Sequence, residues 1–286
     1  MSEYRVVEPV TRCRLGEGPH WSVGHQALFW VDNLGQTIFC YRPLSGTVNH
    51  WSMHEAVAWI VEQTHGSEFV VGLHRGIVSF DIESGAITLL AEPEPHRPEN
   101  RLNDAKVDRR GFLWFGTMPR NAQGDTGALY RLDPGGQVSI HDAGYNVSNG
   151  PAFSPDGKFL YHTDSLRGLV YRFELGDNGQ LSHRSVFLRF GSGDGYPDGM
   201  TVDSEGGLWI AFWGGARVSR YSAGGELVRT IALPASQITS CAFGGAGLDR
   251  LYVTSAATGV ENEQLSGALF EVDPHVTGLA PYLFGA

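Results

Sequence analysis

Five oxygen-bearing side chains stand four residues ahead of an apolar, strand-like residue: Glu17 before Trp21, Asn103 before Val107, Asn149 before Phe153, Asp198 before Val202 and Thr239 before Phe243. One offset repeated in five separate stretches implies equivalent positions in repeated units. If the units form a ring, those positions meet at its axis, and two carboxylates and two carboxamides converge in one small space. Glu17, Asn149 and Asp198 then offer hard oxygen donors suited to one divalent cation such as Ca²⁺, Mg²⁺ or Mn²⁺, with Zn²⁺ and Fe²⁺ also compatible. Three protein ligands leave positions open to water and substrate, the arrangement of a catalytic rather than a structural metal. No His or Cys shares the register. Each residue taken singly has a plainer role, because Asp, Asn and Glu ahead of a strand commonly bond backbone N–H groups in turns. The common register of four favours the ion.

Arg101 lies two residues before Asn103, on the same side of an extended segment. Beside a metal, its guanidinium would bind hydroxyl or carboxylate oxygens of a substrate; the plain alternative is a surface pair with Glu99 or Asp104. Asp104 could fix Arg101 or an amide, or simply shape a turn. Asp164, at the end of 162-His-Thr-Asp-Ser-165, reads as a structural carboxylate. His20, His54, His65, His74, His141 and His162 show no metal-ligand spacing, and Ser148 and Ser240 have no His–Asp companions in a recognisable context. Trp30, Trp114, Trp209 and Trp213 read as packing between units.

The elements that would position these residues are visible as a repeat. GEGPHWSVGHQALFWVD, NDAKVDRRGFLWFGT, NGPAFSPDGKFLYHTD, PDGMTVDSEGGLWIAF and TSCAFGGAGLDRLYVT each read strand, tight turn, strand. Their turns (109–111, 154–157, 203–206) carry the Pro, Asp and Gly that hairpins need. A third strand follows at 127–132, 168–173, 217–221 and 267–272, and then a fourth. The key residues at 103, 149, 198 and 239 recur 46, 49 and 41 residues apart, and the gap from 17 to 103 is two periods of 43. The missing second unit is legible at 57–60, 69–73 and 76–80, without the polar residue. Four short strands per period of this length predict an all-β, six-bladed β-propeller, a single domain over residues 1–286. Residues 4–7 are expected to close the last blade beside 269–272 and 282–284, because a ring must not end on an open strand edge.

Composition narrows the partners. With 42% hydrophobic residues and 11% aromatic, the chain can bury a large core, and its 38 glycines suit many tight turns. Apolar runs are far shorter than the ~20 residues of a membrane span. The formal net charge of −10 disfavours nucleic acid and anionic lipid. Neither end of the first ten residues looks like a signal peptide, and Cys13, Cys40 and Cys241 form no CxxC pair. A cytoplasmic protein with buried, unpaired cysteines is expected, as a monomer or weak homo-oligomer.

The stretches LGEGPHW (15–21), RLNDAKVDRRGFLWFGTM (101–118), SNGPAFSPDGKFLYHTDS (148–165) and YPDGMTVDSEGGLWIAFWGG (196–215) resemble the SMP-30/gluconolactonase/regucalcin family of six-bladed propellers, most of all its bacterial sugar-lactone branch. The resemblance implies one divalent metal on Glu17, Asn149 and Asp198, with Arg101 and Asn103 contacting a sugar lactone. It implies hydrolysis of an aldonolactone to its aldonic acid, with Asp198 as the catalytic base. Where animal regucalcins carry acidic residues after Gly-Thr-Met, this chain has Pro119 and Arg120, so substrate contacts made there do not carry over. A phosphotriesterase on the same scaffold and a non-catalytic calcium-binding propeller are the rival readings.

Overall fold

In each predicted turn the backbone closes as its residues dictate: Gly157 N–H donates to Ser154 O, Gly206 to Asp203 O and Gly111 to Asp108 O. In the computed structural model, which describes residues 3–64 and 67–286, these hairpins build six four-stranded antiparallel sheets. His65 lies outside the described residues.

The innermost strands of blades 1 to 6 are Gly16–Ser22, Val57–Glu62, Asn100–Val107, Ser148–Phe153, Tyr196–Val202 and Ile238–Gly244. Blades 1 to 5 each use four consecutive strands. Blade 6 takes its outermost strand from the other end of the chain: Tyr4–Val6 pairs with Phe270–Val272, and Val7 N–H donates to Leu269 O. The expected closure therefore holds for residues 4–7. It fails for 282–284, because Phe284 bridges Gln63 and donates to Glu62 O in blade 2. The final segment instead crosses the lower face of the ring, with Ser204 N–H bonded to Thr277 O at one side and Gly285 N–H bonded to Gly111 O at the other.

The core is not central. Six apolar clusters each straddle one pair of neighbouring blades: Phe29 and Ile38 meet Phe69 and Val71, for example, and Trp209 and Val218 meet Phe243 and Val253. A strand packed on both faces shows no alternation, which is why second strands such as Ala27–Asp32 and Leu113–Pro119 are buried throughout. Outer strands such as Ile87–Ala91 are largely exposed. Trp30, Trp114 and Trp209 sit in the wedges between blades as expected, whereas Trp213 is half-buried and bridges Gln237. Two of these indoles also find carboxylates, Trp114 Nε1 to Asp108 and Trp209 Nε1 to Asp203, both at 2.8 Å. Because burial is spent between blades, the axis is left to polar side chains. All three cysteines are buried and free, and no helix of the described residues is long and apolar enough to cross a membrane.

Candidate metal centre and substrate site

Every innermost strand slips its register against its neighbour at one place, and that place is the position singled out by the repeat. The irregularities fall between Glu17 and His20, Leu102 and Ala105, Asn149 and Ala152, Pro197 and Met200, and Ile238 and Ser240. A bulge turns a side chain out of the pleat and bends its strand. Repeated around the ring, it re-aims one side chain per blade. In blade 2 the slip lies between Val57 and Trp59, so apolar Ala58 holds the equivalent step and that blade adds no oxygen, as expected.

Glycine follows each of the three proposed ligands, as Gly18, Gly150 and Gly199. At Gly199 a Cβ would stand 2.6 Å from Ser240 Cβ and 2.9 Å from its Cα, so the adjacent inner strand can approach only because no side chain is there. At Gly18, φ of +52° and a Cβ position 3.1 Å from Trp59 Cα make the same demand between blades 1 and 2. In blade 3 the following residue is Asp104 instead, and its carboxylate reaches across to blade 4: Oδ2 accepts from Gly150 N–H at 3.0 Å, Oδ1 from Ala105 N–H at 2.8 Å. Asp104 therefore fixes the backbone beside Asn149, the amide-holding role among its sequence alternatives.

Asn149 is held by both ends of its amide. Its Nδ2 donates to Ser165 Oγ at 2.9 Å, and its Oδ1 accepts from Asn103 Nδ2 at 2.7 Å. Asn103 also donates to Ser148 O at 2.7 Å, and its own Oδ1 accepts from Arg101 Nη1 at 2.7 Å. Arg101, Asn103 and Asn149 thus form one chain, and the expected alternative of a surface pair for Arg101 does not occur. Ser165 was not singled out in the sequence; it lies across the hairpin from Asn149 and carries no spacing signal of its own.

Glu17 and Asp198 face the same space. Burial raises the proton affinity of Glu17 well above the ordinary carboxylate range, with the charges of Asp198 and Asp104 adding to it and Arg101 opposing. Asp198 is raised in the same way, by burial and then by Asp104, with the Gly199 N–H and Arg101 opposing. Two carboxylates gathered in a buried space are destabilised as anions, and a divalent cation is the partner that relieves this. Among the described residues no three His, Cys, Asp or Glu side chains gather as a metal-binding group; the set proposed from the sequence has only two such members and an amide. Its hard oxygens fit Ca²⁺ or Mg²⁺ better than a thiophilic ion.

Thr239, fifth in the register, points elsewhere: its Oγ1 donates to Gly16 O and bonds Thr254 Oγ1, latching blade 6 to blade 1. Asp164 is fully buried, and its Oδ2 accepts from Arg167 and from Asn146 N–H. Ser148 does have a histidine, contrary to expectation: His162 Nε2 is 2.9 Å from its Oγ, placed there by hairpin pairing rather than by sequence proximity. Both are fully buried, and His162 Nδ1 has no partner, so no carboxylate orients the ring as a nucleophilic serine requires. Below the polar cluster the channel widens into a cavity of about 90 Å³ lined by His20, Trp59, Lys106, Ser240 and, from the final segment, Pro281 and Tyr282. Lys106 Nζ spans to Met200 O at 3.0 Å between the two levels.

Residues 15–257 match the model of the SMP-30/Gluconolactonase/LRE-like region. The chain is 36% identical over 278 residues to the 6-deoxy-6-sulfogluconolactonase of Pseudomonas putida, covering 94% of each. It is 35% identical to the L-arabinolactonase of Azospirillum brasilense, over 94% of this chain and 88% of that one. The crystal structure of a calcium-binding protein, regucalcin, from Agrobacterium tumefaciens superimposes with a TM-score of 0.93 at 29% identity, covering 99% of this chain and 97% of that one.

Proposed function

Because the chain belongs to the SMP-30/gluconolactonase/LRE-like family, we propose that it is a sugar-lactone lactonase, hydrolysing an aldonolactone to its aldonic acid with one divalent cation held by Glu17, Asn149 and Asp198. The observation that carries this reading is the convergence on one channel mouth of two proton-hungry carboxylates and an amide whose oxygen is oriented through Arg101 and Asn103. Two relatives of similar length are lactonases by name. The Agrobacterium structure is described as calcium-binding, which supports a divalent ion without choosing it.

When bound, the cation supplies Lewis acidity for the lactone carbonyl and lowers the pKa of water. The residues supply the rest. Arg101 keeps guanidinium N–H groups beyond those given to Leu102 O and Asn103 Oδ1, and these can orient sugar hydroxyls. Asn103 spends both ends of its amide within the chain of bonds, so it sets the angle of Arg101 and of Asn149 together. Asp198, holding the ion through one carboxylate oxygen, has a second that would take the proton of the attacking water as the new C–O bond forms. The same proton is passed to the ring oxygen as the acyl C–O bond breaks, giving a hydroxyl and a carboxylic acid that ionises by releasing its remaining proton to solvent.

The test uses metal-stripped protein reloaded with single cations and assayed against pentono- and hexono-1,4-lactones and an aryl phosphotriester. Lactone turnover that returns with the cation supports the proposal. Turnover of the phosphotriester alone, or cation binding with no turnover at all, would overturn it.

A further inference from the structure

Arg101 does not stand alone at the mouth. It lines a small recess with Arg75 and Arg97 beside Leu102. Arg120 lies beside them, because its N–H donates to Glu99 O at 3.0 Å and Pro119 pairs with Asn100, next to Arg101. The fold brings them together from three places: Arg75 on a turn of blade 2 whose His74 O accepts from Leu102 N–H, Arg97 on the loop before the inner strand of blade 3, and Arg120 just past the second strand of that blade.

Some arginines of this acidic chain are paired with carboxylates. Arg167 pairs with Asp125 and Asp164, and Arg220 with Asp203 and Glu205. Among the described residues Arg75 and Arg120 have no carboxylate partner, while Arg97 bonds a backbone oxygen, Thr126 O at 3.0 Å. The acids nearby do not neutralise them. Glu94, which also lines the recess, is buried and bonded by Asn100, Thr117 and Tyr130; Glu55 lies beside His54 and its charge acts on His74 against those of the arginines; Glu99 is exposed. A second observation points the same way: His74 Nε2 is buried without any partner amid these charges. A neutral polyol needs no such concentration of guanidinium groups, whereas an acid group would satisfy them through charge-assisted, bidentate bonds.

We infer that Arg75, Arg97 and Arg120 form an anion subsite, and that the lactone this chain takes carries a second acidic group, a carboxylate, phosphate or sulfonate, on its exocyclic carbon. This rests on the lactonase reading for the word lactone, but the subsite can be tested apart from turnover. Titration calorimetry on the metal-loaded protein compares gluconate with glucarate, 6-phosphogluconate and 6-sulfogluconate, which share the first carboxylate and differ at the far end. At least one doubly acidic ligand should bind about ten-fold or more tightly than gluconate. The three arms tell which acid is preferred. The advantage should shrink as salt is raised and fall to within about two-fold in the Arg75→Gln/Arg120→Gln double variant, both positions being exposed surface. Equal affinities in the unaltered protein, or an advantage insensitive to salt and to the double substitution, would overturn the inference. Lactone turnover without any anion preference would leave the lactonase reading standing and remove this one; anion preference without lactone turnover would do the reverse.

Discussion

In the proposed site Asp198 has two duties, ligand and base, and substitution can separate them. Asp198→Asn keeps one oxygen for a cation and removes the oxygen that takes the proton, so kcat should fall by about 10²–10⁴ while cation binding, measured by calorimetry, persists in weakened form. Normal turnover in the variant would remove Asp198 as base. Arg101→Ala should raise KM for the lactone by roughly ten-fold or more with little change in cation affinity, since the guanidinium reaches substrate and not the ion; the opposite pattern would place it elsewhere. Asp104 gives a pH signature. Burial holds its pKa up at about 6, with Lys106 and the Ala105 and Gly150 N–H groups opposing. A carboxyl raised on folding contributes stability that is full below its unfolded pKa and is lost as pH rises through the folded value. The melting temperature of metal-free protein should therefore fall from about pH 4 to about pH 6, with Glu17 and Asp198 adding to the fall, and Asp104→Asn should reduce it. At this scale the sequence exposed Glu17, Asn103, Asn149 and Asp198 because each sits at the same distance from a repeated apolar position. It did not expose Ser165 or the His162 partner of Ser148, which depend on cross-strand pairing and leave no spacing to read.

The bulges in the inner strands of blades 1, 4 and 5 aim the proposed ligands, and in those blades a glycine follows each one. Gly199→Ala would drive a Cβ into Ser240 in the next blade, with backbone as well as hydroxyl in the way. It should cost about 1–3 kcal/mol of stability and displace Asp198, seen as a lower melting temperature together with weaker cation binding. Unchanged binding would mean that the adjacent strand yields freely. The closing strand is a separate element with its own consequence. Deleting residues 1–8 removes the outermost strand of blade 6, exposes the edge of Phe270–Val272 and uncovers buried Leu269. A drop of roughly 5–10 °C in melting temperature is expected, and an unchanged value would contradict the pairing. Strands and turns were legible because Gly, Pro and Asp punctuate apolar runs at a nearly fixed period. The final ten residues were not, because a segment that crosses the ring and bonds to Ser204, Glu62 and Gly111 obeys no blade periodicity. Bulges were equally hidden, since a register slip alters pairing and not composition.

At the scale of the molecule, the division of labour is between wedges and axis. Six apolar clusters between neighbouring blades hold the ring, so no single hydrophobic centre competes for the axis, and polar side chains of blades 1, 3, 4 and 5 can be turned inward without opening a core. Thr239 bonded to Gly16 O and residues 4–7 bonded along the last blade join the two ends of the chain, which fixes the angle at which blades 1, 4 and 5 deliver Glu17, Asn149 and Asp198. The proposed cation site follows from that closure rather than from any local motif. Anomalous diffraction from crystals of metal-stripped protein soaked in Mn²⁺ tests this most directly. A single peak bounded by the oxygens of Glu17, Asn149 and Asp198, at about 2.0–2.4 Å from each, is the expected result. A peak held by other side chains, or none at a concentration that restores turnover, would contradict it.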